Sequence, residues 1–259
     1  MVSAFELIPG DPSSSVVLHV PHASTRIPTH VRAGIVLTDE QLAAEVAAIT
    51  DADTDRVALD AARLADTRPW LFLNRASRLV IDPERFPDDR EEMNAVGMGA
   101  VYERTTTGAV LRTPTATDRA ALIDDFYTPY AEALARLVRD RLRATGKVTI
   151  IDMHSYPVAK LPYELHGDAR RPEVCVGTDG FHTSAELGLA ATSAMTTAAP
   201  TGDVGLNSPF NGSYVPLDQY QQNRDVESVM LEIRRDVVRD HPEALARATA
   251  GLINARSTG

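Results

Sequence analysis

Two short β-branched runs, each with a histidine placed where the apolar stretch ends, constrain this chain more than any other feature. Val148 to Ile151, within KVTIIDMHSYP (147–157), reads as a buried strand followed at once by Asp152, His154 and Ser155. Ser15 to Val20 (SVVLHV) reads as a first strand that runs directly into Pro21, His22, Ala23 and Ser24. Ligands in α/β sheets collect at the carboxyl ends of strands. A neutral imidazole there coordinates a divalent metal or, titrating near neutrality, serves as a general base. Either motif alone also fits a hydrogen-bonded histidine closing a strand, and it is the repetition that favours a site. His19, inside the first strand, reads as structural; His22, just beyond it, is the ligand candidate.

Between and after these runs, strand and helix signals alternate. Leu42, Ala43, Val46 and Ile49 predict a helix from Glu40 that Asp39 caps. In DADTDRVALDAARLAD (51–66) the alternating Asp51, Asp53 and Asp55 resemble a calcium loop, but the sixth position is not Gly and the twelfth is Ala62, which excludes an EF-hand. The stretch reads as a turn into a helix, its aspartates either complementing the helix dipole or supplying one oxygen ligand beside His22. Strands are predicted at 69–73, 79–81, 174–177 and 226–233, and helices from Asp118 to Ala144, from Thr183 or Ser184 to Thr196, and over 242–254. Residues 94–117, with a small hairpin at Thr107 and Gly108, and residues 200–223 read as long loops. His166 and His182 are loop histidines. The pattern implies one domain over 1–259: a three-layer αβα sandwich around a mixed, mostly parallel sheet.

Two further features bear on chemistry. Arg75, Arg78 and Arg85, with Asp82 among them, flank the short apolar run 79–81, so that at least one guanidinium can hold a carboxylate or a developing oxyanion. Glu232 interrupts the apolar run VESVMLEI, and a carboxylate there needs a partner or a cleft.

Bulk properties exclude other classes. A net charge of −10 argues against a nucleic-acid surface. No apolar run approaches a bilayer's thickness and the N-terminus lacks a signal-peptide pattern, so a cytoplasmic protein is expected. The single cysteine, Cys175, cannot form an internal disulfide, and its apolar surroundings disfavour a nucleophilic role. The expected partner is a small molecule; a homo-oligomer is compatible with the sequence.

The motifs PHAS (21–24), DTD (53–55), SRLVID and ERFPDD on either side of Pro83 (77–89), DMHS (152–155) and MLEIRRD (230–236) together resemble the N-formylglutamate amidohydrolase family. That family is related in fold to the zinc carboxypeptidases and the aspartoacylase group. The resemblance implies one Zn2+ held by His22, His154 and one aspartate of the DTD stretch, Asp55 matching best and Asp53 being the alternative. It implies Asp152 as the partner that orients an imidazole, Glu232 as the base, Arg78 at the polarised carbonyl oxygen and Arg85 at the substrate carboxylate, with Arg75 and Asp82 on the substrate side. Related enzymes carry Asn-Arg where this chain has Glu84-Arg85, which puts a negative charge beside the expected anion site and leaves the acyl amino acid open. The implied activity is zinc-dependent deformylation or deacylation of a small N-formyl or N-acyl amino acid. The other readings are a carboxypeptidase-like hydrolase of peptides or cell-wall fragments and a non-catalytic metal- or anion-binding relative.

Overall fold

The computed structural model describes residues 4–164 and 170–257. Its strands are β1 (Phe5–Ile8), β2 (Val16–Val20), β3 (Trp70–Asn74), β4 (Val148–Tyr156), β5 (Val174–Thr178), β6 (Val204–Leu206) and β7 (Val226–Arg234). Its α-helices are α1 (Thr29–Arg32), α2 (Asp39–Ile49), α3 (Thr54–Leu64), α4 (Ala116–Leu122), α5 (Thr128–Thr145), α6 (Ala185–Ala198), α7 (Arg235–Asp240) and α8 (Pro242–Ser257). The strands form one sheet in the order β1-β3-β2-β4-β7-β5-β6. The pairs β3-β2, β2-β4, β4-β7 and β5-β6 are parallel, while β1-β3 and β7-β5 are antiparallel. This is the mixed, mostly parallel sheet that the strand and helix alternation predicts.

Period-two alternation sorts each strand between two apolar layers. Leu18, Leu71, Ile151, Val176 and Leu231 face one side, where α3, α6 and α8 pack together. Val17, Phe72, Val148, Ile150 and Val226 face the other and meet Tyr130, Leu134 and Leu137 of α5. A fully buried Val or Leu contributes about 1.5–3 kcal/mol, so register is strongly fixed in β2, where all five residues are buried. That parity decides which polar side chains share a face: His19, Asp152, His154 and Glu232 all follow the α5 side.

Several boundaries differ from the sequence expectation. β4 runs nine residues, so Asp152 and His154 lie within the strand, where the ladder to β7 carries them. Residues 78–80 form a buried turn, and 79–81 do not form a strand. Thr38 caps α2 through a reciprocal pair with Gln41, and Thr115 caps α4 through one with Asp118, each one or more residues before the expected aspartate. A π turn over Ile123–Tyr127 joins α4 to α5, and Gly146 ends α5 in the left-handed region. The edge strands β1 and β6 are too short for periodicity to reveal. At Thr107 and Gly108 a single antiparallel bridge, Arg104 to Val110, stands in place of a full hairpin.

Candidate metal centre and its cavity

The carboxyl ends of β2, β4 and β7 open into a cavity of about 390 Å³. His22 enters it from the turn after β2, His154 from β4 and Glu232 from β7; the last two are direct neighbours in the parallel ladder. Asp51 comes from the turn before α3. Its N–H donates to the His22 carbonyl at 3.0 Å, and its own carbonyl accepts from the Thr54 hydroxyl at 2.9 Å, so the backbone fixes it against His22.

Three ligand atoms converge there. His22 Nδ1 and His154 Nδ1 are 3.3 Å apart, and Asp51 Oδ2 is 3.5 Å from the first and 3.0 Å from the second. A tetrahedral ion with bonds of about 2.0–2.1 Å spaces its ligands about 3.3 Å apart, so the set fits a small divalent cation. The opposite nitrogens support the required tautomers. His22 Nε2 donates to Asp82 Oδ1 at 2.9 Å. His154 Nε2 lies 3.1 Å from Asp152 Oδ2 and 3.3 Å from Glu84 Oε2, contacts that are ionic because their angles fall short of a hydrogen bond. Protons held on both Nε2 atoms leave both Nδ1 lone pairs facing Asp51, the arrangement that carboxylate partners impose on metal-binding imidazoles. In the metal-free chain burial pushes the His154 pKa down, but Glu84, Asp152 and Asp51 outweigh it and hold it well above the ordinary value. The same surplus of negative charge attracts a metal cation.

Around this centre the polar groups are paired through the core. Asp82 is fully buried; its Oδ2 accepts from Arg78 Nη2 at 2.7 Å, Arg78 Nε at 3.2 Å and the Tyr102 hydroxyl at 2.6 Å. Burial pushes the Asp82 carboxyl up, and Arg78, His22 and Arg85 together reverse that to well below the usual range. Asp152 Oδ1 meets His19 Nδ1 at 2.9 Å, and His19 Nε2 meets the Tyr130 hydroxyl at 2.5 Å. Burial pushes the Glu232 carboxyl up to about 8, and its Oε2 is buried without a hydrogen-bond partner. Asp82→Ala leaves Arg78 as an uncompensated buried charge, so it is expected to lower unfolding free energy by about 3–5 kcal/mol in urea titrations, whereas Asp82→Asn loses less. Equal stability of Asp82→Ala and wild type would refute that pairing.

The structure brings together His22, His154, Asp152, Glu232, Arg78, Arg85 and Asp82, all of which line the cavity. It corrects the aspartate: Asp51, not Asp55 or Asp53, stands beside the histidines. Asp53 adopts φ 62° as the residue before α3 and is exposed. Asp55 lies in the helix's first turn, accepting from the Arg56 N–H at 2.9 Å and facing Arg75 at 3.4 Å. Arg75 is also corrected: it pairs with Glu6 at 2.7 Å and does not line the cavity. Asp82 has both oxygens committed within the protein, Oδ1 to His22 and Oδ2 to Arg78 and Tyr102. Arg235 lines the cavity within 4.0 Å of Asp51 Oδ1, and sequence reasoning missed it; its place directly after β7, three residues beyond Glu232, is the signal that was available. His182 accepts from the Gln221 N–H and contacts the Val226 carbonyl, closing a loop away from the cavity. Cys175 is buried against the Phe210 carbonyl, and His166 falls outside the described residues.

No helix among the described residues is long and apolar enough to cross a membrane. No curated protein matches the chain. Among solved structures, an N-formylglutamate amidohydrolase from Ralstonia eutropha JMP134 superposes with TM-score 0.79 at 20% identity, covering 99% of this chain and 98% of that one. A gene product of Agrobacterium tumefaciens superposes with TM-score 0.69 at 22% identity, covering 98% and 93%. At such identities these likenesses establish the fold. The family model described as N-formylglutamate amidohydrolase matches residues 14–239, which include His22, Asp51, Asp82, His154 and Glu232. With most of its length matched, the chain belongs to the N-formylglutamate amidohydrolase family, whose members are hydrolases of amide bonds.

Proposed function

We propose that this protein is a metal-dependent amidohydrolase that cleaves the amide bond of a small N-formyl or N-acyl amino acid. The observation that carries the reading is the convergence of His22 Nδ1, Asp51 Oδ2 and His154 Nδ1 beside the unpartnered carboxyl of Glu232. Two imidazoles, one carboxylate and room for a fourth position suit Zn2+, though Mn2+, Fe2+ and Co2+ share the preference. A divalent ion held there supplies a Lewis acid and lowers the pKa of water.

The chain's own groups divide the remaining work. Glu232 takes the proton from the attacking water and returns it to the leaving amine nitrogen, a role that suits a carboxyl whose pKa burial has moved toward neutrality. Asp82 occupies Nε and Nη2 of Arg78, so Nη1 is the donor left to stabilise negative charge on the carbonyl oxygen. Arg85 reaches Asp82 and Glu91 only at 3.7 and 3.5 Å, which leaves its guanidinium able to meet a substrate carboxylate. Asp152, fixed by His19, orients His154.

Metal analysis of purified wild type and His154→Ala, with hydrolysis of N-formyl amino acids assayed on the same samples, tests the proposal. About one divalent ion per chain, lost together with activity in the variant, is expected. Metal-free wild type that resists reconstitution and still hydrolyses N-formyl amino acids would overturn it.

A further inference from the structure

The chain is poor in aromatic residues, with 6 Phe, 7 Tyr and 1 Trp in 259 residues. Half of them line this one cavity: Phe86, Phe210 and five tyrosines. Four of these rings, Tyr127, Tyr163, Tyr214 and Tyr220, also pack on the core layers, whereas Phe86, Tyr156 and Phe210 belong to none of them. The rings form pairs. Tyr156 and Phe210 meet edge-on at 5.2 Å and Phe86 and Tyr220 at 6.3 Å, with Leu161 and Leu217 also on the walls. Tyr156 is the next side chain after His154 on the same face of β4, about 6.6 Å along the strand. A wall of ring faces therefore begins one side-chain step from His154, with Arg171, itself paired with Glu164, over Tyr156 and Phe210 at 4.8 and 5.7 Å.

Charge points the same way. The lining holds seven carboxylates against three guanidiniums, so even a bound divalent ion leaves the walls acidic. Arg78 is committed to Asp82, while Arg85 reaches Asp82 and Glu91 only at 3.7 and 3.5 Å. Arg235 keeps its Nε without a hydrogen bond. This cationic capacity suits the single α-carboxylate of an amino acid. A second carboxylate on the side chain would add to this acidic lining, in which Glu84 already sits 3.5 Å from His19 Nδ1 and 3.3 Å from His154 Nε2.

We propose that the cavity selects N-formyl or N-acyl amino acids with an apolar or aromatic side chain over those with an acidic one, an inference that rests on the amidohydrolase reading above. The test measures kcat/KM of metal-loaded protein on N-formylphenylalanine, N-formylleucine, N-formylglycine and N-formylglutamate. The apolar pair is expected to exceed N-formylglutamate by about tenfold or more, since each methylene in a fitting pocket is worth about 10- to 200-fold. Phe210→Ala is expected to lower the ratio of N-formylphenylalanine to N-formylglycine about tenfold. N-formylglutamate as the equal or better substrate overturns the selectivity and leaves the amidohydrolase reading intact; an unchanged ratio in Phe210→Ala also overturns it. Without turnover of any compound, equilibrium binding decides: tighter binding of N-formylphenylalanine supports the selectivity while the reaction fails, and equal binding overturns both.

Discussion

Glu232→Gln is expected to lower kcat by about 100- to 10,000-fold, the range that a positioned general acid-base group contributes. Metal content should stay at the wild-type level, because Glu232 pairs with His154 across the ladder and lines the same cavity without being one of the three converging groups. The amide keeps the side chain's shape, so a folding defect does not confound the result. A stability measurement on the metal-free proteins adds an independent check. Burial raises this carboxyl from 4.5 to about 8, so the folded state holds its proton more tightly than the unfolded state. The stability this provides is complete below pH 4.5 and is lost as pH rises through 8. Wild type should therefore lose stability relative to Glu232→Gln across that window. Full activity in the variant would remove Glu232 from the reaction, and parallel stability profiles would remove the buried-carboxyl account.

Asp51→Ala should weaken metal binding by more than about 100-fold, since outer partners of metal ligands alone are worth about 10- to 100-fold. Asp55→Ala should leave metal content and activity unchanged. It loses only a half-exposed contact to Arg75, which is worth about 0–1 kcal/mol. Titration of both apoproteins with Zn2+ distinguishes the two aspartates directly. If Asp55→Ala loses the metal and Asp51→Ala keeps it, the geometry described here is wrong at its centre.

The reason a motif pointed to Asp55 and the fold to Asp51 is instructive. Within DADTD all three aspartates alternate, and pattern alone treats them alike. What separates them is the start of α3: Asp53 takes the left-handed conformation before it, so Asp55 turns with the helix toward Arg75, while Asp51, still in the preceding turn, is tied to the His22 carbonyl. The arginines divide for a similar reason. Arg75 follows β3 toward the sheet edge and meets Glu6 of β1, a strand too short to be read from four residues. Arg78 stands on the buried turn behind the cavity, where Asp82 holds it.

The sequence by itself determined the elements and the chemistry available to them. β-branched runs followed by histidine marked His22 and His154 as candidate ligands, the ladder of apolar positions set the sheet's faces, and a carboxylate inside β7 marked the base candidate, all from local spacing that a chain carries with it. Tertiary structure alone decided which aspartate oxygen stands beside the two imidazoles, which arginines face the cavity, and that half of a scarce aromatic complement lines it. Those choices depend on contacts between residues dozens of positions apart: Asp51 with His154, Asp82 with His22, Phe210 with Tyr156. Burial then makes them energetically consequential, because in the interior a charge without its partner costs several kcal/mol and only folding supplies the partner.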